Sequence, residues 1–251
     1  MSQHLYVLTG ASRGMGLAMA EQLLVPGNYL LCISRQVNKS LAVQAELAGV
    51  PLLQWAQDLA SGAHVSLMLE NWFLEQKNRD FASATLVNNA GAIPRIVPLS
   101  DADPDDLSHA LRVGLEAPMQ LTSAFLRATR SWQEPRKVLN ISSGLGRRAM
   151  ASQAAYCAAK AGMDHFTRCI ALEEASQTNG AKVCSLAPGV IDTDMQTQLR
   201  AADSKAFPER SNFVNLKTSG SLSSPADAAK RVLTVLMRDD FGSDPVSDVK
   251  N

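Results

Sequence analysis

Short, almost uninterrupted apolar runs recur along this chain, separated by longer segments with helical periodicity. The runs are Leu5–Thr9, Tyr29–Ser34, Leu52–Ala56, Ala84–Asn88, Lys137–Ser142 and Lys182–Ala187. Helical patterns fall near 14–25, 38–48, 62–78, 103–131 and 152–178. Runs this short and this continuous suit strands covered on both faces, which is the condition of a parallel sheet. Strand and helix in strict alternation predict an α/β fold: a doubly wound, Rossmann-like parallel sheet in three αβα layers. Asp103 before Pro104 reads as an N-cap followed by the first helical position, and Asn179-Gly180 as a helix end. No linker, internal repeat or low-complexity tract interrupts the pattern, so one domain over 1–251 is expected. The polar segment 192–222, which contains Pro208 and little strand signal, is expected to be a mobile helical flap rather than a second domain.

Composition narrows the function classes. Of 251 residues, 46% are hydrophobic and 19% charged, enough to bury a core and exclude wholesale disorder. Lys+Arg and Asp+Glu both number 24, a net charge of +0 that leaves no basic excess for nucleic acid or an anionic membrane. No apolar run nears the roughly 20 residues that span a bilayer, and MSQH leads straight into LYVLTG without a signal-peptide pattern. A cytoplasmic protein is expected. Cys32, Cys157, Cys169 and Cys184 form no CxxC pair, and His4, His64, His109 and His165 have no ligand spacing, so reduced thiols and no metal are expected.

The first strand runs into Thr9-Gly10-Ala11-Ser12-Arg13-Gly14-Met15-Gly16 and then a helix. Glycines at 10, 14 and 16 let the chain turn sharply and bring backbone and helix N-terminus against a pyrophosphate. The spacing is GxxxGxG rather than GxGxxG, so its weight comes from its place after strand one of an alternating chain. Candidate contacts here are Gly10, Ser12, Arg13, Gly14, Met15 and Gly16. An acid ending the second strand would grip the ribose 2′-hydroxyl of NAD. This strand instead ends Cys32-Ile33-Ser34-Arg35. Arg35, supported by Arg13, offers a cation for a 2′-phosphate, so NADP(H) is expected; the bland alternative is two solvated arginines. Asp58-Leu59 after the third strand offers a carboxylate to an adenine amino group. Asn89-Ala90-Gly91 after the fourth permits close approach to a ribose. Both lie where open α/β sheets bind ligands.

Tyr156 and Lys160 sit at i and i+4 on the helix near 152–178 and share one face. Ala159, Met163, Phe166 and Ile170 form a separate apolar stripe suited to the core or a partner helix. The fifth strand delivers Ser142 and Ser143 at its carboxyl end. These groups suit proton transfer to a carbonyl oxygen that receives a hydride. A free tyrosine titrates near 10, and a neighbouring ammonium is expected to lower that value. Ser143 is placed to hold the oxygen as negative charge develops.

With TGASRGMG at 9–16, NNAG at 88–91, NISSG at 140–144, YCAAK at 156–160 and PGVIDTDM at 188–195, the chain resembles the short-chain dehydrogenase/reductase family over nearly its full length. The resemblance implies Ser143, Tyr156 and Lys160 as the catalytic set. Tyr156 would be the general acid, and Lys160 would bind the nicotinamide ribose and lower the tyrosine pKa. It implies that Asn89 lines the cofactor path, that Ile191 and Thr193 meet the nicotinamide carboxamide, and that Pro188, Gly189, Tyr156 and Lys160 belong to the cofactor contacts. A narrower likeness runs to the sepiapterin reductases, through ALEE at 171–174, Pro188 to Gln196 and RDDF at 238–241. EAPM at 116–119 and NISSG resemble their bacterial relatives that reduce benzil and other 1,2-dicarbonyls. This implies an NADPH-dependent carbonyl reductase acting on a small-molecule ketone, diketone or pterin side chain.

One position departs from the family. A segment like VNL usually supplies an asparagine in the fourth helix, where Val113-Gly114-Leu115 stands here. Glycine keeps the backbone carbonyl and tolerates a kink, at about 1 kcal/mol of helix stability. The substrate pocket is expected between Ser143–Gly146, Ala92–Pro94, Met150 and the flap residues Met195, Leu199, Phe207 and Phe213. Arg147-Arg148 read as solvated loop arginines or as receivers of an acidic substrate group. Asp248 or Asp244 would match the acid with which sepiapterin reductases anchor a pterin. Apolar faces on the helices near 103–131 and 152–178 suggest a homodimer or homotetramer. The rival reading is a non-catalytic NADP-binding regulatory protein of the same fold.

Overall fold

In the computed structural model, which describes residues 2–76 and 80–249, seven strands form one sheet. They are β1 (Gln3–Thr9), β2 (Asn28–Ser34), β3 (Leu52–Ala56), β4 (Phe81–Asn88), β5 (Arg136–Ile141), β6 (Lys182–Ala187) and β7 (Val246–Asp248). Every neighbouring pair is parallel, in the order β3-β2-β1-β4-β5-β6-β7. Each of the six expected runs coincides with a strand, although Ser142 lies one residue beyond β5. The seventh strand was not expected, because three residues after Pro245 are too few and too polar to carry a pattern.

Alternation along each strand splits the core in two. Tyr6 and Leu8 of β1, Leu30 and Cys32 of β2, and Cys184 and Leu186 of β6 face one cluster. It is closed by α1 (Gly14–Gln22) and α9 (Pro225–Leu236), with Leu41 of α2 (Lys39–Ala48). Leu5 and Val7, Leu31 and Ile33, and Val183 face the other, closed by α3 (Gly62–Glu75) and α5 (Ala117–Ala128). Three αβα layers result, in a single Rossmann-like domain. The second cluster is aromatic: Phe73 meets Phe125 edge-on at 5.9 Å and Trp132 at 5.9 Å, and Phe81 stacks on Trp132. The last two positions of the helix expected at 62–78 lie outside the described residues.

The helix expected over 103–131 is broken. Asp103 caps α4 (Pro104–Leu111) by accepting from the Asp105 amide, as its sequence predicts. A π-helical turn, Arg112–Glu116, then separates α4 from α5. Gly114 is buried in that turn, 3.1 Å from Ala159 measured to the Cβ it lacks. Glycine therefore brings this turn hard against the next long helix, α6 (Ala154–Ala175), which is how the chain accommodates the departure at position 114. Residues 192–222 fold into α7 (Asp194–Ala201) and α8 (Arg210–Thr218), with Phe207 fully buried and stacked on Phe213 at 5.6 Å.

Strand order reverses between β1 and β4, so their carboxyl ends open a crevice. One threonine stitches the two ends together. The Thr9 hydroxyl is buried and accepts from the amides of Asn89 at 2.9 Å and Ala90 at 3.0 Å. Below it, Asn88 donates to Asn140 at 2.8 Å and to Thr122 at 3.0 Å, and Asn140 donates to Thr167 of α6 at 2.9 Å. This buried chain joins β4, β5, α5 and α6, and a low-dielectric setting makes each missing partner costly. Replacing Thr9 with Val keeps the shape but orphans two amides; urea denaturation should show a loss of about 1–3 kcal/mol. Phe125→Ala, in the opposite cluster, should lower unfolding free energy by about 3–5 kcal/mol in the same assay.

Candidate active site

The glycine turn is built by exclusion of side chains. Gly10 has φ +69°, and a Cβ there would lie 2.9 Å from Ala90 Cα. A Cβ on Gly16 would lie 2.1 Å from the Gly10 carbonyl oxygen, so the first turn of α1 rests directly on the loop. Asn89 completes the contact, its amide donating to the carbonyls of Thr9 at 3.0 Å and Gly10 at 3.3 Å. Its side chain is thus committed to bracing the turn. Arg13 occupies the N-cap of α1 in extended conformation and supplies no capping side chain. The amides of the first turn, at Gly14, Met15 and Gly16, therefore have no intrahelical acceptor and form a positive end that fits a phosphate group.

Most of the other expected nucleotide contacts gather around this turn, some in altered form. The Met15 side chain is buried in the α1–α9 core, and Leu59 in the opposite core, leaving backbone as the part that a ligand can meet. Asp58 is exposed but caps the turn Leu59–Ser61 through the Ala60 amide at 2.9 Å. Ser12 is held from behind, its carbonyl accepting from Asn38 at 3.1 Å; Asn38 in turn exchanges two hydrogen bonds with Gln54 of β3. Sequence reasoning missed Asn38, which reads as an ordinary N-cap. Arg35 is exposed at the end of β2, with no ion pair among the described residues. Arg13 is paired with Asp194 of α7 at 2.7 Å, both side chains largely in solvent. Pro188 is buried, Gly189 turns with φ +87°, and Ile191 and Thr193 lead into α7, where Thr193 faces Gly14.

Ser143, Tyr156 and Lys160 converge at the end of β5. Ser143 leaves the strand in extended conformation and caps the turn Gly144–Gly146 by accepting from the Leu145 amide. Its hydroxyl lies near the Tyr156 phenol and favours the ionised form of that group. Lys160 is only 4% exposed, and its ammonium donates to the Ile141 carbonyl at 2.6 Å, 5.8 Å from the centre of the Tyr156 ring. Burial lowers the Lys160 pKa from 10.5 to about 8, with Asp164 opposing the fall. The expected lowering of the tyrosine pKa is not what this arrangement gives. Burial pushes the Tyr156 phenol up, against the nearby Ser143 hydroxyl, which pulls it down. The physical reason is that Lys160 points at Ile141 rather than at the phenol oxygen, so desolvation outweighs its charge.

The expected substrate walls are partly reassigned. Ala92–Pro94, Leu145, Met150 and Met195 are half-buried around this end, whereas Leu199 and Phe207 are packed into the fold. Ser152, in the left-handed region at φ 61°, donates to the Ala206 carbonyl and ties the loop before α6 to the segment between α7 and α8. Arg147 is not a free receiver of substrate: it pairs with Asp248 at 2.7 Å. Cys32 and Cys184 are buried free thiols, both pushed up to about 12. No helix among the described residues is long and apolar enough to cross a membrane.

Comparison with known proteins agrees with this arrangement. The model of the short chain dehydrogenase family matches residues 4–204. A benzil reductase ((S)-benzoin forming) of Bacillus cereus is 34% identical over 235 residues, covering 94% of each chain. A sepiapterin reductase of Meriones unguiculatus is 33% identical, covering 94% of this chain and 92% of its own. Among solved structures, a metagenomic short-chain oxidoreductase in complex with NADP superposes with a TM-score of 0.73 at 25% identity, covering 98% of this chain and 95% of that one. With four-fifths of its length matched, and glycine turn, serine, tyrosine and lysine in place, this chain belongs to the short-chain dehydrogenase family.

Proposed function

We propose that the protein is an NADPH-dependent carbonyl reductase acting on a ketone or vicinal dicarbonyl, with an aryl 1,2-diketone of the benzil type as the first substrate to try. The observation that carries this reading is the convergence of Ser143, Tyr156 and the buried Lys160 ammonium at the end of β5, with the ammonium 5.8 Å from the centre of the Tyr156 ring. A neutral phenol is a proton donor, and burial keeps this one neutral at pH 7. The names of the relatives support the substrate class, since one is a benzil reductase and another a sepiapterin reductase.

Bound NADPH would supply the hydride to the carbonyl carbon. The chain's own residues do the rest. The Ser143 hydroxyl holds the carbonyl oxygen as it gains negative charge. The Tyr156 phenol gives that oxygen its proton, yielding the alcohol, and solvent later restores the phenol. Lys160 holds a positive charge beside the phenolate that results. Uncapped amides of α1 would hold the pyrophosphate, and Arg35 would hold the 2′-phosphate; the lack of an acid ending β2 removes the partner that a bare ribose would use. The turn of α7 and α8 serves as a flap over the substrate, and a small carbonyl compound is the partner that such a site accepts. The intact proton donor favours this reading over a non-catalytic regulator.

Mixing the protein with NADPH and benzil should consume NADPH absorbance, and Tyr156→Phe should lower kcat by at least about 100-fold with NADPH affinity nearly unchanged. Binding of NADPH without turnover of any diketone, quinone or pterin would overturn the reading in favour of a regulator. Titration calorimetry should give weaker binding of NADH than of NADPH, and Arg35→Ala should narrow that gap; equal affinity in the wild type would refute the cofactor assignment. The pH profile of kcat/KM should be level near neutrality and decline above about 8, where Lys160 loses its proton.

A further inference from the structure

Asp164 lies one helical turn beyond Lys160 on α6 and is only 2% exposed. Its Oδ1 accepts from the Ser185 hydroxyl of β6 at 2.6 Å, whereas Oδ2 is buried without a hydrogen bond, 4.0 Å from Arg147 Nε. Room for this carboxylate is made by a glycine. A Cβ on Gly146 would lie 2.7 Å from Asp164 Oδ2 and 3.0 Å from the Lys160 carbonyl oxygen, so the turn that follows Ser143 lies flat on α6. Arg147 then reaches outward to Asp248 of β7. A buried carboxylate of this kind costs several kcal/mol unless a charge answers it. Arg147 answers it from outside, and Lys160 is the nearest buried cation along its own helix.

We propose that Asp164 is a positioning residue for the catalytic centre: braced by Ser185 and Arg147, its buried carboxylate, one helical turn from Lys160, acts through space to keep that lysine cationic beside Tyr156. The inference rests on the reading of Lys160 as part of that centre. Without Asp164, a lysine this deeply buried would shed its proton nearer neutrality, and the charge beside Tyr156 would be lost over the range in which a reductase works. The groups that face the pair from each packed element enter the same balance. Tyr156 comes from α6 itself, Arg147 from the turn after β5, Cys184 from β6, and Asp244 and Asp248 from the segment of β7. The π-helical turn meets α6 through Gly114 against Ala159 and Leu115 against Gly162, which are apolar contacts. Nothing in the YCAAK motif specifies this acid, and the sequence offers only a charged residue four positions beyond the lysine.

The test titrates Lys160 directly, by carbon-13 NMR of lysine-labelled protein without nucleotide or substrate, with the resonance identified through Lys160→Arg. In the wild type the midpoint should lie near 8. In Asp164→Asn it should fall by about one pH unit, with the alkaline decline of kcat/KM moving down alongside it. An unchanged midpoint in a folded Asp164→Asn variant would overturn the proposal. Were that variant not to fold, Asp164→Ser removes the same charge with a smaller side chain: the Lys160 midpoint should fall likewise, and no fall would overturn the proposal. Because the titration needs no turnover, failure of the reductase assay and failure of this proposal give different results.

Discussion

Placing a lysine where water scarcely reaches is the constraint on which the proposed catalytic end of this protein depends. A fall in the Lys160 pKa from 10.5 to about 8 corresponds to about 3 kcal/mol held against the charged form. That cost is present in full below pH 8 and relaxes as the pH rises through the interval to 10.5, where the folded state binds fewer protons than the unfolded one. The surrounding fold is arranged to bear it. The Ile141 carbonyl accepts from the ammonium, and Asp164 answers the charge from the next turn of the helix. Gly146 lets the strand's exit turn close over both.

The same exit turn carries Ser143, so the groups of the site are placed by one junction between β5 and α6. That junction is fixed from below by the buried chain from Asn88 through Asn140 to Thr167. Each of its members donates or accepts across a different pair of elements. The sheet and the catalytic helix are therefore locked in register by directional bonds, which apolar packing alone does not supply. On the other side of the crevice, Thr9 and Asn89 tie the glycine turn to the end of β4. The glycine turn and the Ser143–Tyr156–Lys160 cluster, the proposed nucleotide-binding and proton-donating ends, thus lie at neighbouring strand ends of one sheet.

Much of this was legible in the sequence because it rests on local chemistry. Six strands announce themselves as apolar runs, Asp103-Pro104 begins a helix where its side chain can cap it, and Tyr156 and Lys160 are joined by helical spacing. What was not legible depends on partners distant in sequence. β7 is three residues long and becomes a strand by pairing with Ser185–Ala187. Arg13 looks like a free phosphate ligand until Asp194, far along the chain, is found beside it. Arg147 and Asp248 each suggested a substrate contact, and the fold pairs them with one another. The direction of the Tyr156 shift eluded reasoning from spacing for the same reason. Helical neighbours fix which face the two side chains share, but not that the ammonium turns towards a carbonyl of β5.

In the proposed reaction, hydride reaches a carbonyl carbon while Tyr156 protonates its oxygen. The most direct measurement supplies NADPH deuterated at its transferable position together with benzil and examines the product by mass spectrometry. One deuterium should appear on the carbinol carbon of benzoin, and none when Tyr156→Phe replaces the wild type. Benzoin formed without deuterium would refute the proposed reaction, as would the return unchanged of every diketone, quinone and pterin offered to the wild-type protein.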